Sequence, residues 1–182
     1  MKVYNDFEGV KRVQWLVEDY TPEEEDINLK LYTDIFPVLM IKARRKYDFH
    51  QLTYREYVNY VLTCFSKLYG LESINDIKNF TEKLVVMSMA QLKYDEDIDF
   101  GEQYDTAFEM YMDKNKDYNN SSEKQIKHFG HDAFYFRLTD KISRLVAYDG
   151  NLKVKDEKLQ DTILDLINYC MIYLIHLAKA GK

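Results

Sequence analysis

Two aspartates near the C-terminus have the type and spacing needed to hold a divalent cation. Asp161 and Asp165 lie four residues apart, which places both on one helix face together with Asn168. From Cys170 to Ala178 the same segment is apolar nearly all round, so neighbouring elements are predicted to cover it. Buried carboxylates need a cation or donors, and their oxygens suit Mg²⁺. The alternative is a solvated face on the first two turns.

A basic stripe precedes these aspartates. Arg137, Lys141 and Arg144 share one side of a predicted helix with Asp140. If that side faces the last helix, cations and carboxylates meet in one cleft, as a phosphorylated, metal-bound ligand requires. The alternative is that Asp140 and Arg144 form an ordinary surface pair, which stabilises a helix only slightly.

The stretch DKNKDYNNSSEK (113–124) spaces its oxygen-bearing side chains like a calcium loop. Tyr118 stands where that loop needs glycine, and Lys124 stands where it needs glutamate, so calcium binding is not predicted. Ser122 opens a capping box, and the asparagines and serines are therefore interpreted as a connection between two helices. Capping does not explain the triplet 116–118.

Composition excludes several classes of protein. A net charge of −6 over 182 residues argues against bulk nucleic-acid binding through a basic surface. Cys64 and Cys170 lie in apolar helical patterns and are interpreted as buried thiols. No N-terminal stretch has the layout of a signal peptide, and no apolar run is long enough to span a membrane. A soluble, cytoplasmic protein is therefore expected. Phosphate-loop, dinucleotide-binding and zinc-protease motifs do not occur.

The elements that must position these residues are predicted to be helices. Two prolines and six glycines are few for this length, and no segment alternates with period two. We expect an all-α bundle of six to eight helices in a single domain. Its N-terminal helical region, residues 1–100, has no assigned role, and the charged motifs lie in residues 101–182.

Capping signals mark the predicted helix boundaries. Thr21-Pro22, TYRE (53–56) and SIND (73–76) open three helices, and Pro37 is predicted to interrupt the first. Further helices are expected over about 102–116, from Ser122 to Asp149-Gly150, and from an Asp156 cap to about Gly181.

His131-Asp132 could join His50 and Asp161 in a metal phosphohydrolase constellation. His131 falls on the apolar side of its helix, so a hydrogen-bonded core histidine is the preferred interpretation.

Three motifs in order resemble the nucleotide modification associated domain 1 family. That family combines a Lys-x-x-Asp-Tyr loop, a helix with Asp-Lys-x-x-Arg, and a last helix with Asp-Thr-x-x-Asp-Leu-x-x-Tyr. The matching residues are Lys114, Asp117 and Tyr118; Asp140, Lys141 and Arg144; and Asp161, Thr162, Asp165, Leu166 and Tyr169. The match covers about residues 105–176.

The resemblance implies a nucleotide-handling protein, because the family occurs largely in phages and bacteria and is associated by gene context with altered DNA bases. The last helix is also distantly similar to that of MazG-like all-α NTP pyrophosphatases, which bind Mg²⁺ through carboxylates. The Glu-Glu-x-x-Glu block of that superfamily is reduced here to Asp140 among basic residues. A single metal, or phosphate binding without hydrolysis, therefore fits better than a full pyrophosphatase site.

These patterns assign expected roles around a nucleotide or modified nucleotide. The expected Mg²⁺ ligands are Asp161, Asp165 and Asp140. The expected phosphate contacts are Lys116, Arg137, Lys141 and Arg144. Tyr118 is expected to stack on a base, and Asp117 or Asn168 to contact its edge. If the protein is an enzyme, the reaction is phosphoanhydride hydrolysis by a metal-activated water.

A non-enzymatic alternative is a phage inhibitor that binds a host protein, or a sponge that sequesters a signalling nucleotide. The acidic segments 18–26 and 95–105 would supply the surface of an inhibitor, whereas solvated helix connections explain them equally. By analogy with helical nucleotide hydrolases, a homodimer is a further expectation.

Overall fold

The described residues form seven helices. A computed structural model describes residues 21–49, 51–118, 120–148 and 158–181. The helices are α1 (Pro22–Phe49), α2 (Tyr54–Leu68), α3 (Ile74–Glu96), α4 (Phe100–Asp117), α5 (Ser121–Phe129), α6 (His131–Ala147) and α7 (Leu159–Ala180). No strand occurs in these four ranges, which confirms the predicted all-α bundle of six to eight helices.

Helix α7 is the centre of the bundle. It packs against α1, α3, α4, α5 and α6, and residues from all seven helices share one hydrophobic core. Within the described ranges, α7 is also the helix whose length and mean hydropathy would suit a membrane span. However, 67% of its most apolar window is buried inside the protein, as expected of a central core helix.

Three helix starts agree with the capping signals. Thr53 and Glu56 exchange side-chain and backbone hydrogen bonds at the start of α2. The Ser73 hydroxyl accepts a bond from the backbone of Asp76 at the start of α3. Thr21 and Glu24 form a similar reciprocal pair before α1. These bonds satisfy amide groups that a helix start leaves without partners.

The predicted interruption at Pro37 is wrong, because α1 continues through it. A proline inside a helix costs about 3 kcal/mol. Tyr32, Phe36, Leu39 and Ala43 lie on both sides of Pro37 and are fully or almost fully buried. Each large buried side chain contributes about 1.5–3 kcal/mol, so packing of this stripe outweighs the cost.

The start of α5 also differs from the prediction. Helix α5 begins at Ser121, and Asn120 rather than Ser122 occupies the capping position. Asn120 adopts the left-handed conformation (φ 53°, ψ 33°), which asparagine tolerates better than most residues. Gly130 (φ 61°, ψ −135°) connects α5 to α6 in a conformation that favours glycine. The predicted signals Asp149-Gly150 and Asp156 lie outside the described residues.

One buried amide joins three helices. The Tyr32 hydroxyl of α1 donates to Asn168 Oδ1 at 2.8 Å, and Asn168 Nδ2 donates to the Ala107 carbonyl of α4 at 2.9 Å. Asn168 is on α7 and only 5% exposed. Because both partners are themselves buried, this side chain links α1 and α4 to α7 inside the core.

Replacement of Asn168 with leucine should destabilise the protein by about 2–4 kcal/mol, since it leaves the Tyr32 hydroxyl and the Ala107 carbonyl buried without partners. Urea unfolding of the single and double variants measures this loss. Adding Tyr32→Phe should recover part of it. A loss below about 0.5 kcal/mol would show that the amide does not hold the helices.

Candidate functional site

A cleft of about 240 Å³ opens where α4, α5, α6 and α7 meet. We call it the lysine cleft. Its lining residues are Tyr111, Lys114, Asn115 and Tyr118 at the end of α4; Ser121 and Ser122 of α5; Arg137 and Lys141 of α6; and Asp165, Asn168, Tyr169 and Ile172 of α7.

The Asp165 carboxylate binds two lysines in this cleft. Lys141 Nζ lies 2.9 Å from one carboxylate oxygen, and Lys114 Nζ binds the other. The side chains of Asp165 and Lys141 are only 14% and 10% exposed. A lysine at that depth needs an anionic partner, which Asp165 provides. Among the charged residues that line the cleft, three cations (Lys114, Arg137 and Lys141) accompany one carboxylate, so positive charge remains for a ligand. Asp140, outside the cleft, lies 3.5 Å from Lys141 Nζ.

The guanidinium of Arg137 is held in place before any ligand arrives. Its Nε and Nη2 donate to Gln125 Oε1 at 3.1 and 2.8 Å. The cations of Arg137 and Lys141 each lie 5.8 Å from the centre of the Tyr169 ring. Contact with the negative face of this ring stabilises both cations. The cations are therefore oriented by contacts that an incoming anion need not break.

The first turn of α5 adds hydrogen-bond donors to the lysine cleft. Ser121 and Ser122 line the cleft, and among the described residues no side chain caps this helix start. Amides at a helix start carry partial positive charge and bind phosphate or carboxylate oxygens. The helix start and the three cations therefore favour the same kind of ligand.

Five of the predicted site residues meet in the lysine cleft. They are Tyr118, Arg137, Lys141, Asp165 and Asn168. Tyr118 lies at the mouth of the cleft and is 65% exposed. The side-chain amide of Asn168 is already hydrogen-bonded to the Tyr32 hydroxyl and the Ala107 carbonyl.

Lys116 and Asp117 do not line the cleft. Because α4 extends through Asp117, the cleft receives one of its faces, with residues at positions 111, 114, 115 and 118. Lys114 therefore occupies the position in the cleft that was predicted for Lys116. The family motif already includes Lys114, but its place in the cleft follows from the three- and four-residue spacing of these positions on a helix that continues to residue 117.

The remaining predicted residues lie around the cleft rather than in it. Asp140 pairs with Arg144 at 3.4 Å, which agrees with the surface-pair alternative. The Asp161 carboxylate accepts a hydrogen bond from the backbone of Lys158 at 3.2 Å and so caps α7.

The three aspartates are engaged by other groups in this conformation. Lys141 Nζ lies 2.9 Å from Asp165 and 3.5 Å from Asp140, so an ammonium group stands between the carboxylates. Within the described ranges, no three Asp, Glu, His or Cys side chains form a metal-ligand group. Coordination of Mg²⁺ by Asp140, Asp161 and Asp165 would require the lysines to move. The present arrangement fits an anion better than Mg²⁺, and the metal site remains a prediction.

His131 has the surroundings of a core histidine. Its two ring nitrogens lie 3.2 Å from the Tyr173 hydroxyl and 3.2 Å from the Leu68 carbonyl. Both nitrogens therefore have protein partners. His50, the other histidine of the phosphohydrolase alternative, lies outside the described residues.

The acidic segment 95–105 has local structural roles. Asp99 caps α4 through the Gly101 amide at 3.0 Å, and Asp97 pairs with Lys93 at 2.6 Å. Asp95 accepts a hydrogen bond from Gln91 at 2.7 Å. These contacts account for part of the acidic charge as helix-end chemistry, and binding of a host protein remains a prediction.

A second cavity, of about 320 Å³, lies between α1, α5 and α7. We call it the isoleucine cavity because Ile126, Ile172 and Ile175 line it. Glu123 and Lys179 are among its charged residues. Burial raises the pKa of the Glu123 carboxyl, while its own N–H, Asn115 and Tyr111 and the charge of Lys179 oppose this change. Burial, with the Lys179 charge, lowers the pKa of His176, which also lines the cavity.

Comparison with known proteins finds no matching family model, no similar curated protein and no similar solved structure. The resemblance to the nucleotide modification associated domain 1 family therefore remains a prediction that rests on the three motifs.

The raised pKa of Glu123 gives a pH-dependent prediction. A carboxyl whose folded pKa exceeds its unfolded pKa favours folding at low pH, and this contribution is lost as pH rises towards the folded pKa. Glu123→Gln should therefore unfold at a higher temperature than wild type at pH 8, with a smaller difference near pH 4.5. Thermal unfolding across this range tests it, with exposed Glu109→Gln as the control. A pH-independent difference would contradict it.

Proposed function

We propose that this protein binds a nucleotide or modified nucleotide, with its phosphate in the lysine cleft. The observation that carries the proposal is the convergence of Lys114, Arg137 and Lys141 on one small cleft with a single carboxylate. Charge-assisted hydrogen bonds to phosphate are stronger than neutral ones, and arginine adds a planar fork that matches phosphate oxygens.

Asp165 positions the cations in this proposal. Its carboxylate holds Lys114 and Lys141 from one side, and the ligand phosphate approaches from the open side of the cleft. Each ammonium group has three donors, so a lysine can bind Asp165 and a phosphate oxygen together. Arg137 likewise retains Gln125 while other guanidinium N–H groups contact phosphate. Binding without hydrolysis is the form of the function that these contacts support best.

Mg²⁺-dependent phosphohydrolysis is the second candidate. It is favoured by the closeness of Asp140 and Asp165 to the same Lys141 ammonium, because displacement of that lysine would leave two carboxylates facing one position. Phosphate or pyrophosphate release from a panel of dNTPs with Mg²⁺ tests it. Release by wild type and its loss in Asp165→Asn would establish hydrolysis.

Calorimetry with inorganic phosphate and nucleoside monophosphates, in EDTA and in Mg²⁺, tests the binding proposal. Lys114→Gln should weaken binding of every phosphate ligand about tenfold or more, because a charge-assisted hydrogen bond is worth about 1.5–3 kcal/mol. Lys116→Gln is a matched control in the same turn of α4 and outside the cleft. It should bind like wild type.

Equal losses in the two lysine variants would indicate a general charge effect and contradict the assignment. No binding of any phosphate ligand by wild type would remove the proposed function.

A further inference from the structure

The lysine cleft is small for a whole nucleotide. Pockets for small molecules and cofactors usually measure about 300–1,000 Å³. The lysine cleft, at about 240 Å³, falls below this range, whereas the isoleucine cavity adds about 320 Å³. A phosphate and sugar therefore require most of the lysine cleft, and the base needs further space.

The isoleucine cavity adjoins the lysine cleft. Ile172 of α7 lines both spaces. The first turn of α5 separates them, since Ser122 faces the cleft and the next residue, Glu123, lines the cavity. Ile172, beside the first turn of α5, is therefore the wall that the two spaces share.

The walls of the isoleucine cavity suit a flat heterocycle. Ile126, Ile172 and Ile175 are at most 6% exposed and give it apolar sides. The mouth carries polar pairs, in which Lys127 binds Glu24 at 2.6 Å and Lys179 donates to Asn28 at 2.7 Å. An apolar interior with few polar groups is typical of sites that bind aromatic ligands.

Glu123 supplies the polar group that points to a particular ligand. The residue is 6% exposed, and within the described part of the chain neither carboxylate oxygen has a hydrogen-bond partner at normal geometry, although Asn115 and Tyr111 lie close enough to oppose the rise in its pKa that burial causes. Such a group costs stability unless a partner arrives. Three side-chain torsions allow the carboxyl to turn towards the cavity that the residue lines. Whether ionised or protonated, a carboxyl accepts a hydrogen bond from an N–H group.

On the basis of the phosphate site proposed above, we propose that the ligand extends past Ile172 into the isoleucine cavity. A base with an exocyclic amino group lies between the isoleucines, and its amino group donates to Glu123. Adenine, guanine and cytosine carry this group, and thymine does not. The base therefore lies in the cavity instead of against the exposed ring of Tyr118.

Calorimetry on the full chain tests this proposal with inorganic phosphate, AMP, GMP, CMP and TMP. Wild type should bind the amino-bearing nucleotides about tenfold more tightly than TMP, since a hydrogen bond worth about 1.4 kcal/mol accounts for that ratio. Glu123→Met should remove the difference and leave inorganic phosphate binding unchanged. Glu109→Met, at an exposed position of α4, is the matched control and should preserve the difference.

Ala180→Phe provides a second arm, because Ala180 is exposed and lines the isoleucine cavity. The larger side chain should weaken the binding of all nucleotides and leave the binding of inorganic phosphate unchanged. Thermal unfolding of each variant confirms that it folds. If Glu123→Met does not fold, the nucleotide affinity of Ala180→Phe decides whether the base binds in the isoleucine cavity.

Different failures separate this proposal from the phosphate site. Unchanged base preference in folded Glu123→Met, or unchanged nucleotide affinity in Ala180→Phe, would overturn the base site while phosphate binding stands. Loss of the preference in Tyr118→Ala alone would place the base on that ring and overturn the proposal. No phosphate or nucleotide binding by wild type would overturn both proposals together.

Discussion

The contact of Asp165 with Lys114 and Lys141 is the interaction on which the site depends. An ammonium group as shielded as that of Lys141 would be strongly disfavoured without a carboxylate partner. Asp165 provides that partner from the central helix and links α4, α6 and α7 at one point. Because one carboxylate serves two lysines, and Arg137 lies in the same cleft, the structure retains excess positive charge at a concave surface.

The position of α7 explains how four helices contribute to one site. Its apolar residues pack into the core on nearly every side. Its polar residues Asp165 and Asn168 face the junction of α4 with the other helices. Asn168 donates to the Ala107 carbonyl of α4, and Lys114, further along the same helix, lines the cleft. The same helix supplies Ile172, which lines both the lysine cleft and the isoleucine cavity.

Local rules predicted much of the fold and less of the site. Thr53 and Ser73 marked helix starts correctly because capping depends on neighbouring residues. The interruption predicted at Pro37 was wrong because packing against distant residues outweighs the local cost of a proline inside a helix. Arg137, Lys141, Asp165 and Asn168 were predicted from helical spacing and Tyr118 from a loop motif, whereas the place of Lys114 in the cleft depends on the true end of α4. The engagement of Asp165 by lysines, and the burial of Glu123, arise between helices and follow no spacing rule.

The most direct measurement is a crystal structure of the protein grown with a nucleoside monophosphate and Mg²⁺. We expect phosphate density within hydrogen-bonding distance of Lys114, Arg137 and Lys141, with Asp165 still paired to the lysines. Density for an octahedral metal ion on Asp140, Asp161 and Asp165, with Lys141 displaced, would contradict phosphate binding by the lysines. Ligand density elsewhere on the protein, with the lysine cleft empty, would contradict it as well.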